Sequence, residues 1–181
     1  MGLTHIASVT ASSSATVSFT SGIDATYNEY QFQFVNMHAA DNAANFQFQV
    51  NASDDTGGGF DTSLITSTTF MALHNESNVY AYLAYRTGQD QAQAAGYQTI
   101  AEEVGIEDDS GASGVLTLYA PSSTTYVKHF TSRFSYVFAG PRADDYYAAG
   151  YINQTLAIPE ISFKFASGNI DSGTIHMYGV G

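Results

Sequence analysis

The sequence predicts an all-β fold: a single-domain, jelly-roll-like β-sandwich of about eight to ten antiparallel strands. Three observations carry that expectation. Apolar and polar residues alternate with a period of two along much of the chain. Turn-forming clusters punctuate it at short intervals. Aromatic residues make up 14% of the chain while charged residues make up only 12%, about half the share of an ordinary globular domain.

The alternation is plainest in Tyr30-Gln31-Phe32-Gln33-Phe34-Val35 and in Phe46-Gln47-Phe48-Gln49-Val50. Successive side chains of a strand point to opposite faces, so each segment has one buried aromatic face and one wet glutamine face. Further strands are expected over Ala15–Thr20, Thr66–Leu73, Gly114–Tyr119, Tyr126–Phe138, Tyr146–Leu156, Ile161–Phe165 and Thr174–Tyr178. In the longest of these, Tyr126, Lys128, Phe130, Ser132, Phe134, Tyr136 and Phe138 share one parity. Ser21-Gly22, Asp54 to Gly59, Asp109-Ser110-Gly111, Pro121-Ser122-Ser123 and Ser167-Gly168-Asn169 supply loop chemistry. Only Gln89 to Val104, with several alanines and an interrupting Gly96, reads as partly helical, and at most one short helix is expected there. A ten-stranded barrel is the competing architecture. No composition shift marks a linker, so residues 1–181 are expected to form one domain.

Composition narrows the function classes. The formal net charge is −12, and the five cations, Arg86, Lys128, Arg133, Arg142 and Lys164, form no run. Clustered cations are needed to neutralise phosphates, so nucleic acid is not an expected partner, and an acidic surface is repelled by anionic membranes. There is no cysteine, which rules out disulfides and thiolate chemistry. The N-terminal residues lack a basic region followed by an apolar stretch, and no apolar run is long enough to span a bilayer as a helix.

Catalytic signatures are missing. His5, His38, His74, His129 and His176 never pair at two- or four-residue spacing, so no compact zinc motif is present and no metal residue is assigned. The acidic groups Asp54-Asp55, Glu102-Glu103, Glu107-Asp108-Asp109 and Asp144-Asp145 read as solvated loop charge. No cofactor is expected; calcium is the one weighed exception, through Asp54, Asp55 and Asp61 or through Glu107, Asp108 and Asp109, neither of which follows EF-hand spacing. There is no nucleophile elbow and no phosphate-binding glycine loop. The chain is expected not to be an enzyme. Tyr80, Tyr82, Tyr85, Tyr146, Tyr147 and Tyr151 are the candidate contact residues, because amphipathic rings suit both protein interfaces and sugar stacking; the competing reading is that they cap the core.

Three segments carry a resemblance: Phe19-Thr20-Ser21-Gly22-Ile23-Asp24 through Tyr30-Gln31-Phe32, Ser122 through Phe130, and Ser162 through Val180, which ends in Tyr178-Gly179-Val180. The chain resembles small, cysteine-free structural proteins of tailed phages, especially phages of marine bacteria. That resemblance implies a virion protein on a β-sandwich, either capsid decoration (cement) or a tail or fibre component. It implies other virion proteins as partners and a homo-oligomer, with a trimer as the working expectation. It carries over no functional residue. The alternative is a carbohydrate- or receptor-binding module at a fibre tip, with a host-surface glycan as ligand.

Overall fold

The computed structural model describes residues 2–53, 60 and 63–181. Thirteen strands form two sheets. In chain order they are β1 (Leu3–Ser14), β2 (Val17–Phe19), β3 (Glu29–Ala39), β4 (Ala44–Asn51), β5 (Ile65–Asn75), β6 (Ala81–Tyr85) and β7 (Ala92–Ala94). Then come β8 (Gln98–Val104), β9 (Ala112–Tyr119), β10 (Lys128–Val137), β11 (Arg142–Ile152), β12 (Glu160–Phe165) and β13 (Ile170–Val180). The larger sheet has nine strands in the order β1-β13-β3-β9-β10-β11-β5-β6, with β7 also on β5; the smaller runs β2-β12-β4-β8. Every pairing is antiparallel. The β-sandwich expectation holds. The division into nine and four strands does not reproduce the eight strands of a simple jelly roll.

The alternation expected from sequence is what builds the core. Along β10 burial strictly alternates, with Lys128, Phe130, Ser132, Phe134 and Tyr136 inward. Tyr30, Phe32 and Phe34 of β3 also face the smaller sheet, whose Phe46, Phe48 and Phe163 face back. Phe163 is the hub: its ring meets Phe19, Phe32, Phe34 and Phe46 at centroid distances of 6.5, 5.5, 5.0 and 6.3 Å. Gly114 of β9 lies between Phe34 on one neighbouring strand and Phe134 on the other. A Cβ there would come within 2.6 Å of the Phe134 ring. Its absence lets Phe34 and Phe134 meet across β9 at 4.9 Å.

The bound of at most one short helix is met, since none forms among the described residues; the partly helical reading of Gln89 to Val104 is corrected, because that stretch contributes β7 and β8. The alanines only permit a helix, whereas pairing with β4 satisfies the β8 backbone and buries Ile100, Ala101 and Val104. The strand count exceeds eight to ten because β1, β6, β7 and β8 carry no clean alternation.

Candidate interaction face

Each inward residue of the larger sheet leaves its neighbours on the opposite, outward face, which no second layer covers among the described residues. Register lines these up in rows. One row crosses the sheet as Tyr85, Phe70, Tyr147, Arg133, Val115, Gln33, His176 and Ser8. Its aromatic end is ordered by stacking. Phe70 and Tyr147 lie 4.7 Å apart and nearly parallel, at 6°. The Arg133 guanidinium sits 5.1 Å over the Tyr147 ring. Since β5 and β10 flank β11 on opposite sides, the two faces of the Tyr147 ring are both occupied. Arg133 also grips Asp145 in a two-pronged ion pair at 2.9 and 2.8 Å, and this hydrogen-bonded guanidinium holds the Asp145 carboxyl below its ordinary range. Tyr147 Oη donates to the same carboxylate at 3.1 Å.

The expected tyrosines divide. Tyr85 (54% exposed) stands in solvent at the β5–β6 end of this face, whereas Tyr82 (52%), opposite the inward Leu73, is exposed on the other face of β6, and Tyr80 is exposed just before that strand. Tyr147 and Tyr151 are half-buried on the outward face. Tyr151 packs edge-on to His129 at 6.3 Å. Tyr146 is the correction: it is 0% exposed, it faces the smaller sheet, and burial pushes its phenol pKa up. A residue on a strand points opposite to its neighbour, so Tyr147 outward means Tyr146 inward.

The acidic groups also divide. Asp54, Asp55 and Asp61, one of the two calcium candidates, lie outside the described residues. Glu107, Asp108 and Asp109 are exposed on the β8–β9 loop, where Asp108 and Asp109 border a cleft with Asn36, His38 and Ser110. Among the described residues no three His, Asp or Glu side chains converge as a metal site. Glu102 and Asp144 are not solvated loop charges as expected. Both are buried. Glu102 accepts from Arg86 at 2.7 and 2.6 Å, and Asp144 accepts from Arg142 at 2.6 and 2.7 Å. Burial raises the Asp144 pKa against the pull of Arg142.

All five cations are therefore engaged within the chain. Three are ion-paired, Lys128 is buried against backbone carbonyls, and Lys164 lies 4.3 Å over the Tyr97 ring. What the surface offers a partner is acid, hydroxyl, amide and aromatic edge.

The strand β6 is an exposed edge of the larger sheet. Among the described residues it pairs only with β5, so its other edge presents unpaired backbone groups. Its sequence, Ala81-Tyr82-Leu83-Ala84-Tyr85, has no charge and no proline, and Leu83 is 70% exposed. Free edges are ordinarily guarded by charge, proline or a bulge, and this one has none. No helix among the described residues is long and apolar enough to cross a membrane. Comparison with protein families, with curated proteins and with solved structures finds no match.

Proposed function

We propose that this chain is a non-enzymatic structural module that acts by protein–protein assembly, with the β6 edge as its principal contact. The unguarded, uncharged β6 edge carries the proposal. An edge strand of this kind accepts another strand through main-chain hydrogen bonds, with alternate side chains giving specificity. The natural occupant is a second copy. Antiparallel pairing centred on Leu83 sets Leu83 against Leu83, each Ala81 against a Tyr85, and each Tyr82 against an Ala84. Tyrosine thus meets alanine on either side of a central leucine pair, a self-complementary arrangement of the kind a two-fold contact requires. No ionic group takes part, so two chains of net charge −12 meet where neither presents charge. Such a contact builds dimers; a trimer needs a head-to-tail contact instead.

The resemblance to tailed-phage structural proteins supplies the setting: the surface of a virion, as capsid decoration or as a tail or fibre component, with other virion proteins as partners. Immuno-electron microscopy of particles distinguishes head from tail, and absence of label from purified particles defeats the setting. For the contact itself, sedimentation of the purified chain is expected to show a self-associated species that changes little between low and moderate salt. Leu83→Lys is expected to shift it to monomer, weakening association at least about tenfold, because it places two lysines face to face on the axis. A wild-type monomer at all concentrations, or an unchanged Leu83→Lys, refutes the contact.

A second reading is recognition of a host-surface glycan at a fibre tip. It is favoured by Tyr80 and Tyr82, both exposed, with ring centroids 6.2 Å apart. Tyr147, with both ring faces occupied, has none to offer a sugar. Absence of binding on a glycan array defeats this reading, and binding that survives Tyr82→Ala moves the contact away from Tyr80 and Tyr82.

A further inference from the structure

At the far end of the same face, two histidines that are 171 positions apart in sequence meet over one serine. His5 Nε2 lies 2.7 Å from Ser8 Oγ, and Ser8 Oγ lies 2.7 Å from His176 Nδ1. A regular strand would put His5 and Ser8, three residues apart, on opposite faces. The register shifts between His5 and Ala7, so His5 stands opposite Tyr178 and Ser8 opposite His176. The extra residue of this bulge turns both side chains outward, the kind of re-aiming for which bulges are retained. Tyr178 then wedges both imidazoles, at 5.4 Å from His5 and 6.4 Å from His176.

The geometry points to a surface metal site in which His5 Nε2 and His176 Nδ1 bind one zinc-like divalent ion. Two imidazole nitrogens directed at a single point are the minimal chelate for such an ion, which prefers nitrogen over the oxygens that calcium takes. At about 2.0–2.1 Å from each imidazole nitrogen and near-tetrahedral angles, zinc holds two ring centroids roughly 5.2 Å apart. Here they are 6.2 Å apart and inclined at 61°, so binding draws the rings together by about 1 Å, a side-chain adjustment open to the exposed His5. Rotation of Ser8 about χ1 clears the point that its hydroxyl holds. Water completes the coordination, because His5 and Ser8 are exposed and no carboxylate joins them among the described residues.

The test is calorimetric titration of Zn²⁺ into chelator-treated protein, with the wild type and the variants His5→Ala, His176→Ala, Ser8→Ala and His129→Ala. One saturable site per chain is expected. Its affinity falls about tenfold or more in each of His5→Ala and His176→Ala, while Ser8→Ala and His129→Ala stay within about threefold. These positions lie on the sheet surface, and thermal unfolding of the metal-free variants, unchanged from wild type, shows that the fold is retained. Imidazole resonances of His5 and His176, and not of His129, shift on zinc addition. Wild-type binding no stronger than that of a His5→Ala/His176→Ala double variant overturns the site. So does loss of the site in Ser8→Ala, which would make the serine, and not the nitrogen pair, the determinant.

Discussion

Phe163→Ala is expected to destabilise the fold by about 4 kcal/mol. Phe163 is fully buried in β12 and is the ring through which the smaller sheet grips the larger. Phe32 and Phe34 come from one sheet, Phe19 and Phe46 from strands beside its own. Truncation removes the transfer free energy of a phenyl group and leaves a cavity that four rings line. Those rings are held in turn by Phe134 and Phe165, so the site cannot collapse cheaply. In a chain of this size the melting temperature should fall by roughly 8–16 °C. Phe163→Leu keeps most of the volume and should cost about 1.5 kcal/mol. Urea unfolding with unchanged slope checks both. A loss below about 1 kcal/mol for the alanine variant means that the sheets are not joined through this cluster.

The parts of the fold that sequence makes legible are those where one face is apolar and the other is not. In β3, β4 and β10 the alternation of aromatics with Gln, Ser and Thr both marks the strand and assigns its inner face. Lys128 falls on the inner parity of β10 although its chemistry argues against burial, and the structure buries it. Where that contrast is missing, the signal is missing. Strand β8 has Gln98, Thr99, Ile100, Ala101 and Glu102 all buried; with both faces covered, no period of two appears. Strand β1 is an edge, mostly polar, and its bulge breaks what alternation it has.

The candidate contacts follow the same logic. The tyrosine-rich stretches were visible, and parity within Tyr146–Leu156 already allows only one of Tyr146 and Tyr147 outside. The row joining Tyr85, Phe70, Tyr147 and Arg133 was not visible, since it depends on strand order. The buried ion pairs Arg86–Glu102 and Arg142–Asp144 were equally hidden, because adjacent acids in sequence say nothing of where their cations lie. The His5–Ser8–His176 cluster needed both a long-range pairing and a bulge, neither of which has a local signature.

Lys128 gives the second large effect, and its pH dependence separates charge from volume. Its side chain is 0% exposed. Its ammonium donates to the carbonyls of Tyr126, Gln154 and Thr155 at 2.9, 3.2 and 3.3 Å, tying the segment before β10 to the one after β11. No carboxylate pairs with it among the described residues, and burial lowers its pKa. Lys128→Ala opens a cavity and strands three carbonyls, at a cost of about 4 kcal/mol. Lys128→Met keeps the volume, loses the donors and sheds a buried charge, for a net cost of about 2 kcal/mol. The sign of the pH effect follows from proton counting. The folded pKa lies below the ordinary 10.5, so between the two values the unfolded chain holds the proton more tightly and wild-type stability rises with pH. The methionine variant has no such group, and the buried tyrosines are common to both proteins. The stability gap between wild type and Lys128→Met should therefore widen as pH rises towards the ordinary lysine pKa of 10.5. A gap that narrows would mean that the carbonyl cage stabilises the ammonium by more than burial costs it.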